Sequence, residues 1–214
     1  MSQQFEPLIA DLVADLQPVK PLKLRGGLFL VLSAMLACVL IVALAAGLRA
    51  DILAGQLDPV FLLATGLFLL LAVASSFTVI EMSRPHVGGH RDGWIWAVAT
   101  AALLPASAAL IAGIAWLRGA TPSVDSEGVN CLAIAVVLGM LVGLALVVWL
   151  RKGAATSPER AGLLTGLAAG SSGIFALALH CPHNDIAHIG LWHGLAVAVS
   201  AVIGRLIIPA AIRW

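Results

Sequence analysis

The side chains with most chemistry to offer are two cysteines, fifty residues apart, and a run of histidines around the second. Cys131 stands near the start of one long apolar stretch. Cys181 stands near the end of another, in the segment His180-Cys181-Pro182-His183-Asn184-Asp185-Ile186-Ala187-His188, and His193 lies just inside the next apolar stretch. Two thiols can close a disulfide in an oxidising compartment, or share a soft metal ion with nearby imidazoles. Cys131 and Cys181 are therefore the candidate disulfide or metal-ligating pair, with His180, His183 and His188 as candidate auxiliary ligands to a soft metal ion. The plainer reading is two small apolar residues at helix ends beside histidines in a polar loop, since free cysteine often behaves as a small hydrophobe. Cys38, in the middle of an apolar stretch, is read that way. The cysteines form no CxxC, and redox catalysts resolve mixed disulfides with a close cysteine pair. A membrane thiol oxidoreductase fits poorly, and no enzyme is expected.

Positioning these groups falls to a chain that is 61% hydrophobic and 11% charged, against about one quarter charged in soluble domains. Six stretches, 26–48, 59–80, 93–117, 128–150, 161–184 and 186–204, lack Asp, Glu, Lys and Arg, and each is close to the roughly 20 residues that cross a bilayer as a helix. The expected fold is all-α: residues 26–214 form a polytopic six-helix transmembrane bundle, and residues 1–25 form a tail set off by Pro18 and Pro21. Of twelve Lys and Arg residues, only Arg49 and Arg118 fall outside the tail, the second and fourth connections and the C-terminal end. Basic residues accumulate on the cytoplasmic side, so both termini are expected there. Cys131 and Cys181 then face the opposite, periplasmic compartment. Trp94, Trp96, Trp116, Trp149, Trp192 and Trp214 all fall near span ends, as interfacial rings do. A net charge of +1 gives no basic face for direct nucleic-acid binding. Glu81 and Arg205 read as boundary residues, and ion-coupled transporters usually place acids near the midplane. A small-molecule or metal-ion permease with a Cys/His entry site is the alternative function.

Within the tail, Phe5, Leu8, Ile9, Leu12, Val13 and Leu16 recur at helical spacing, and Asp11 and Asp15 lie off that stripe. This is a short cytoplasmic amphipathic helix with an acidic polar face. Helices of this length are marginal alone in water, so the stripe needs a surface to lie on. Membrane-surface helices usually present Lys or Arg to anionic headgroups; this one presents Asp, which better suits a protein partner with an apolar groove and a basic rim. Gly139 and Gly143, then Gly162, Gly166 and Gly170, repeat at four-residue spacing. Such ridges let helices approach closely, within the bundle or in a homo-oligomer.

The segment Leu12-Val13-Ala14-Asp15-Leu16-Gln17-Pro18-Val19 resembles the N-terminal segment of the NrsF family of six-span membrane anti-sigma factors. His180-Cys181-Pro182, followed by Leu191-Trp192 and a closing Arg205 to Trp214 end, resembles that family's C-terminal signature. The likeness covers essentially the whole chain, and His-Cys-Pro is its most specific element. The resemblance implies a bacterial inner-membrane protein that holds an extracytoplasmic-function (ECF) sigma factor and releases it under heavy-metal or oxidative stress. It makes Cys131 and Cys181 the sensing pair and the tail (Phe5, Leu8, Ile9, Asp11, Leu12, Asp15, Leu16) the sigma-binding element. His183 and His193 depart from the family pattern, in which an acidic residue and a tyrosine are expected.

Overall fold

In the computed structural model, residues 6–14, 22–84, 93–119 and 127–213 are described. They are helical, with no strand among them: α1 (Glu6–Ala14), α2 (Leu24–Ala45), the short α3 (Ala50–Leu53), α4 (Pro59–Met82), α5 (Gly93–Leu117), α6 (Glu127–Leu150), α7 (Pro158–Ala178), the short α8 (Ile186–His188) and α9 (Gly194–Ile212). A single π-helical turn, Ile189–His193, joins α8 to α9. By length and composition, five helices among the described residues can cross a membrane: Leu24–Ala45, Pro59–Met82, Gly128–Leu150, Pro158–Ala178 and Ile186–Ile212. The third expected span is the 25-residue helix α5.

Local chemistry sets the helix ends. Asp58 caps α4, its carboxylate accepting from the amides of Val60 (2.7 Å) and Phe61 (3.3 Å), and Pro59 occupies the first turn, where its missing N–H costs nothing. α7 stops at Ala178, short of the expected 184. Pro182 cannot donate to a continuing helix, so Cys181 lies in a connection and not on a span. α9 runs on to Ile212, past the expected 204. Arg205 sits within that helix and pairs with Glu159 at 3.4 Å, and Glu81 pairs with Arg84 at 3.5 Å. Both boundary residues thus have partners at one end of the bundle.

α7 is the central helix, buried along nearly its whole length and packed against α9, α6, α4 and α2. That position explains its composition. A helix surrounded by protein can be built from Gly, Ala, Ser and Thr, whereas lipid-facing helices carry bulkier apolar groups. Its hydroxyls bond their own backbone: Thr165 to the Ala161 carbonyl (2.7 Å), Ser171 to Leu167 (2.5 Å) and Ser172 to Ala168 (2.6 Å). The glycine ridge is used inside the chain. A Cβ at Gly166 would collide with the Ser200 carbonyl of α9, one at Gly170 would come within 2.8 Å of Val197 Cα, and one at Gly139 would collide with the Ala169 carbonyl of α7. Backbone contact at these points fixes α6, α7 and α9 relative to one another.

α2 shows the outer layer. Val31, Met35, Cys38 and Val42 face inward, while Phe29, Leu32, Leu36, Leu40 and Leu44 are exposed. Cys38 is fully buried and its thiol donates to the Leu138 carbonyl at 3.2 Å, in keeping with a packing role. Both faces of the helix are apolar, so its exposed side matches lipid and not water.

At the end of the bundle where α2 begins and α6 finishes, the Trp149 indole N–H donates to the Ser83 hydroxyl at 3.0 Å. A Cβ on Gly27 would stand 2.9 Å from the Trp149 ring and 2.8 Å from Ile80. The last residues of α6 are thus wedged against the first turn of α2, where the N-terminal tail joins the bundle. Of the tail, α1 is described: Ile9, Leu12 and Val13 are 58%, 62% and 58% exposed, so this part of the stripe covers no core. Phe5, Asp15, Leu16 and the side chain of Leu8 lie outside the described residues.

Candidate functional site

The other end of the bundle gathers the chemistry. α6 brings Cys131 in on its second turn, and the connection after α7 brings Cys181. Their Sγ atoms lie 4.0 Å apart. The approach follows from the packing below them: a Cβ on Gly173 of α7 would collide with the Ala135 carbonyl of α6, one turn beyond Cys131. Cys181 is buried and Cys131 half-buried.

Two imidazoles complete the group. His188 Nε2 is 3.8 Å from Cys181 Sγ, and ligating atoms of Cys131, Cys181, His188 and His193 all lie within 4.8 Å of one another. Asp185 anchors the start of this segment, its carboxylate accepting from the His188 amide at 3.1 Å. The π turn then decides the register. Residues five apart on an α-helix point about 140° apart, from 3.6 residues per turn, whereas the wider i→i+5 ring of a π turn swings them toward the same face. His188 and His193 are five apart, and their rings meet edge to face with centroids 5.3 Å apart. Gly128 seats the turn from below: a Cβ there would fall inside the Trp192 ring, so the start of α6 and the π turn pack directly.

The other sequence candidates lie outside this group. His180 is exposed, and its Nδ1 lies 3.1 Å from the Gly47 carbonyl. His183 stacks on the outer face of the cluster, with its ring 4.6 Å from that of His188.

The thiol of Cys181 is held well below the usual thiol range. Its hydrogen bond with Cys131 is the largest cause, and His193 adds to it against the opposing effect of burial. Cys181 is thus the thiolate-prone member of the pair.

Arg49, which sequence reading counted only as a loop charge, holds this connection in place. It is 7% exposed. Its Nη1 donates to the Cys181 carbonyl at 2.8 Å, and its backbone amide donates to the Leu179 carbonyl at 3.0 Å. Nε and Nη2 grip the Asp51 carboxylate at 2.8 and 2.6 Å, and the guanidinium lies 4.5 Å over the Phe61 ring. Planar, forked donors suit such a multiple clamp in a way lysine cannot match. The one sequence signal was a lone Arg on a side otherwise nearly empty of cations. Arg49→Met is expected to cost about 1.5–3 kcal/mol, the range for a hydrogen bond to a charged group. Thermal unfolding in detergent checks the loss, and faster amide exchange across 179–185 locates it. Arg49→Lys should recover only part.

The family model NrsF, described as "Negative regulator of sigma F", matches residues 12–214. The chain belongs to the NrsF family. It is 28% identical over 181 residues to the "Probable anti-sigma-F factor NrsF" of Azospira oryzae, covering 78% of each chain. It is 29% identical over 181 residues to the "Anti-sigma-F factor NrsF" of Caulobacter vibrioides, again covering 78% of each. No solved structure matches the chain. The NrsF match begins at Leu12, in the last turn of α1, and runs through the cysteine end. The family's description is that of a regulator.

Proposed function

We propose that this NrsF-family chain is an anti-sigma factor of a bacterial inner membrane, crossing it six times with both termini in the cytoplasm. The tail, residues 1–25, holds an ECF sigma factor away from the nucleoid, and the bundle, residues 26–214, releases it when the Cys131–Cys181 end meets heavy-metal or oxidative stress. The observation that carries this reading is the family match over residues 12–214. The exposed apolar stripe of α1 supports the binding half: a helix that covers no core of its own suits a groove on a partner, and its acidic face suits a DNA-binding protein's basic surface.

The path of the signal is α6. Cys131 and Trp149 are eighteen residues apart on that helix, about 27 Å at 1.5 Å per residue, close to the hydrocarbon thickness of a bilayer. One end carries a sensing thiol. The other is wedged against Gly27, where the tail begins. Oxidation would remove two electrons and two protons from the thiols and draw the Sγ atoms from 4.0 Å to about 2 Å. A helix packed this tightly moves as a body, so a shift at Cys131 reaches Trp149.

Purification of the full chain from its native membrane should recover a sigma factor in stoichiometric amount. Treatment of the cells with an oxidant or a thiophilic metal before lysis should reduce that amount at least tenfold. Absence of any sigma factor from the untreated complex would overturn the reading.

A further inference from the structure

We propose that Cys131, Cys181, His188 and His193 form a tetrahedral Cys2His2 site for a divalent cation of the zinc class. The inference deepens the sensing half of the proposed function by naming what occupies its end of the bundle. Its first support is geometric. Around a tetrahedral centre with metal–sulfur bonds of about 2.3 Å and metal–nitrogen bonds of about 2.05 Å, sulfur–sulfur edges are about 3.8 Å and sulfur–nitrogen edges about 3.5 Å. The protein holds its sulfurs 4.0 Å apart and Cys181 Sγ 3.8 Å from His188 Nε2. These two distances lie close to the edges of such a tetrahedron, reached with no bond between the sulfurs, and all four donor atoms lie within 4.8 Å of one another.

The second support is the state of the donors. Cys181, His188 and His193 are buried. His193 Nε2 is buried with no hydrogen-bond partner among the described residues, a costly arrangement for a polar atom. Beside it lies a cavity of about 10 Å³, reached by Cys181 and His193 but not by Cys131 or His188, with room for about one water. The donor set is two soft thiols and two imidazoles, which favours zinc over calcium or magnesium.

The third support is the π turn. It is a rare conformation that recurs at functional sites, and here it is what puts His193 beside His188. Three separate elements supply the ligands: the start of α6, the connection after α7, and the entry to α9. A bound cation would therefore join the helix ends that the glycine contacts already hold close, and its binding would release the thiol protons.

The test uses the full-length chain in detergent, stripped with a chelator and reloaded with Zn²⁺ or Co²⁺ alone. One equivalent of Zn²⁺ per chain is expected. The Co²⁺ form of the unaltered protein should show the intense visible bands of a four-coordinate centre together with thiolate-to-cobalt charge transfer. His188→Asn and His193→Asn, checked for folding by circular dichroism and gel filtration, should each weaken Zn²⁺ binding by more than the roughly tenfold to hundredfold that loss of an outer-shell partner costs. His180→Asn should leave it unchanged. A six-coordinate Co²⁺ spectrum would overturn the site, as would full Zn²⁺ affinity in folded His188→Asn and His193→Asn, since the cation would then rest on the cysteines alone. If Zn²⁺ fails to bind while serine at Cys131 and Cys181 still abolishes sigma release, the sensing reading stands and the metal site falls. If the four-ligand centre forms but no sigma factor is retained, the outcome is reversed.

Discussion

Replacing Ile9 and Leu12 together with aspartate is expected to lower retention of the sigma factor by at least about a hundredfold. Both side chains are more than half exposed on α1, and full burial of such a residue is worth about 1.5–3 kcal/mol. Losing two gives at least about 3 kcal/mol, and each 1.4 kcal/mol is tenfold in affinity; burying a new charge adds to the loss. The bundle should be unaffected, because neither residue contributes to its core. Asp11→Asn serves as contrast. An exposed charge steers encounter more than it holds a complex, so this variant should slow association and flatten its salt dependence with a modest change in affinity. The measurement is titration of the purified chain with its sigma factor at two salt concentrations. Undiminished binding by the double aspartate variant would move the interface off α1.

Serine at both Cys131 and Cys181 is expected to leave retention intact and abolish stress-dependent release. Serine preserves the shape of the site but supplies neither a disulfide nor a thiolate ligand, and the contacts joining α6 to α7 at Gly139 and Gly173 do not involve the sulfurs. Gly27→Val tests the other end of the same route. Its new carbons would overlap Ile80 and the Trp149 ring, a strain of the order of 1–3 kcal/mol placed at the root of the tail. This variant should keep the cysteine chemistry and change the resting amount of sigma factor held. A reporter under the sigma factor's control, read with and without oxidant, separates the two. Normal induction in the serine variant would remove the cysteines from the mechanism. A Gly27→Val reporter indistinguishable from the unaltered protein would break the α6 route.

Much of this was legible in residue order alone. The apolar stretches and the stripe of α1 follow from local composition and period, which a helix expresses without help from distant residues. The two cysteines could be singled out because each ends or begins an apolar stretch, and the family resemblance rested on the same short segments. The glycine spacing announced close packing but not its partner. Only the fold shows the ridge spent on α9 and α6 inside one chain.

What the sequence could not supply was the company those cysteines keep. By α-helical spacing His193 points away from His188, so a ligand search by period overlooks it, while the nearer His180 and His183 look better placed. The π turn reverses that order, and such a turn is chosen by packing, here of Trp192 over Gly128, rather than by any local preference. Arg49 is a similar case: 132 residues separate it from the Cys181 carbonyl it holds. Local order thus determined which segments become helices and which residue types stand at their ends. Tertiary contact decided which four ligands meet, because distance along the chain says nothing about which helix ends the core brings together.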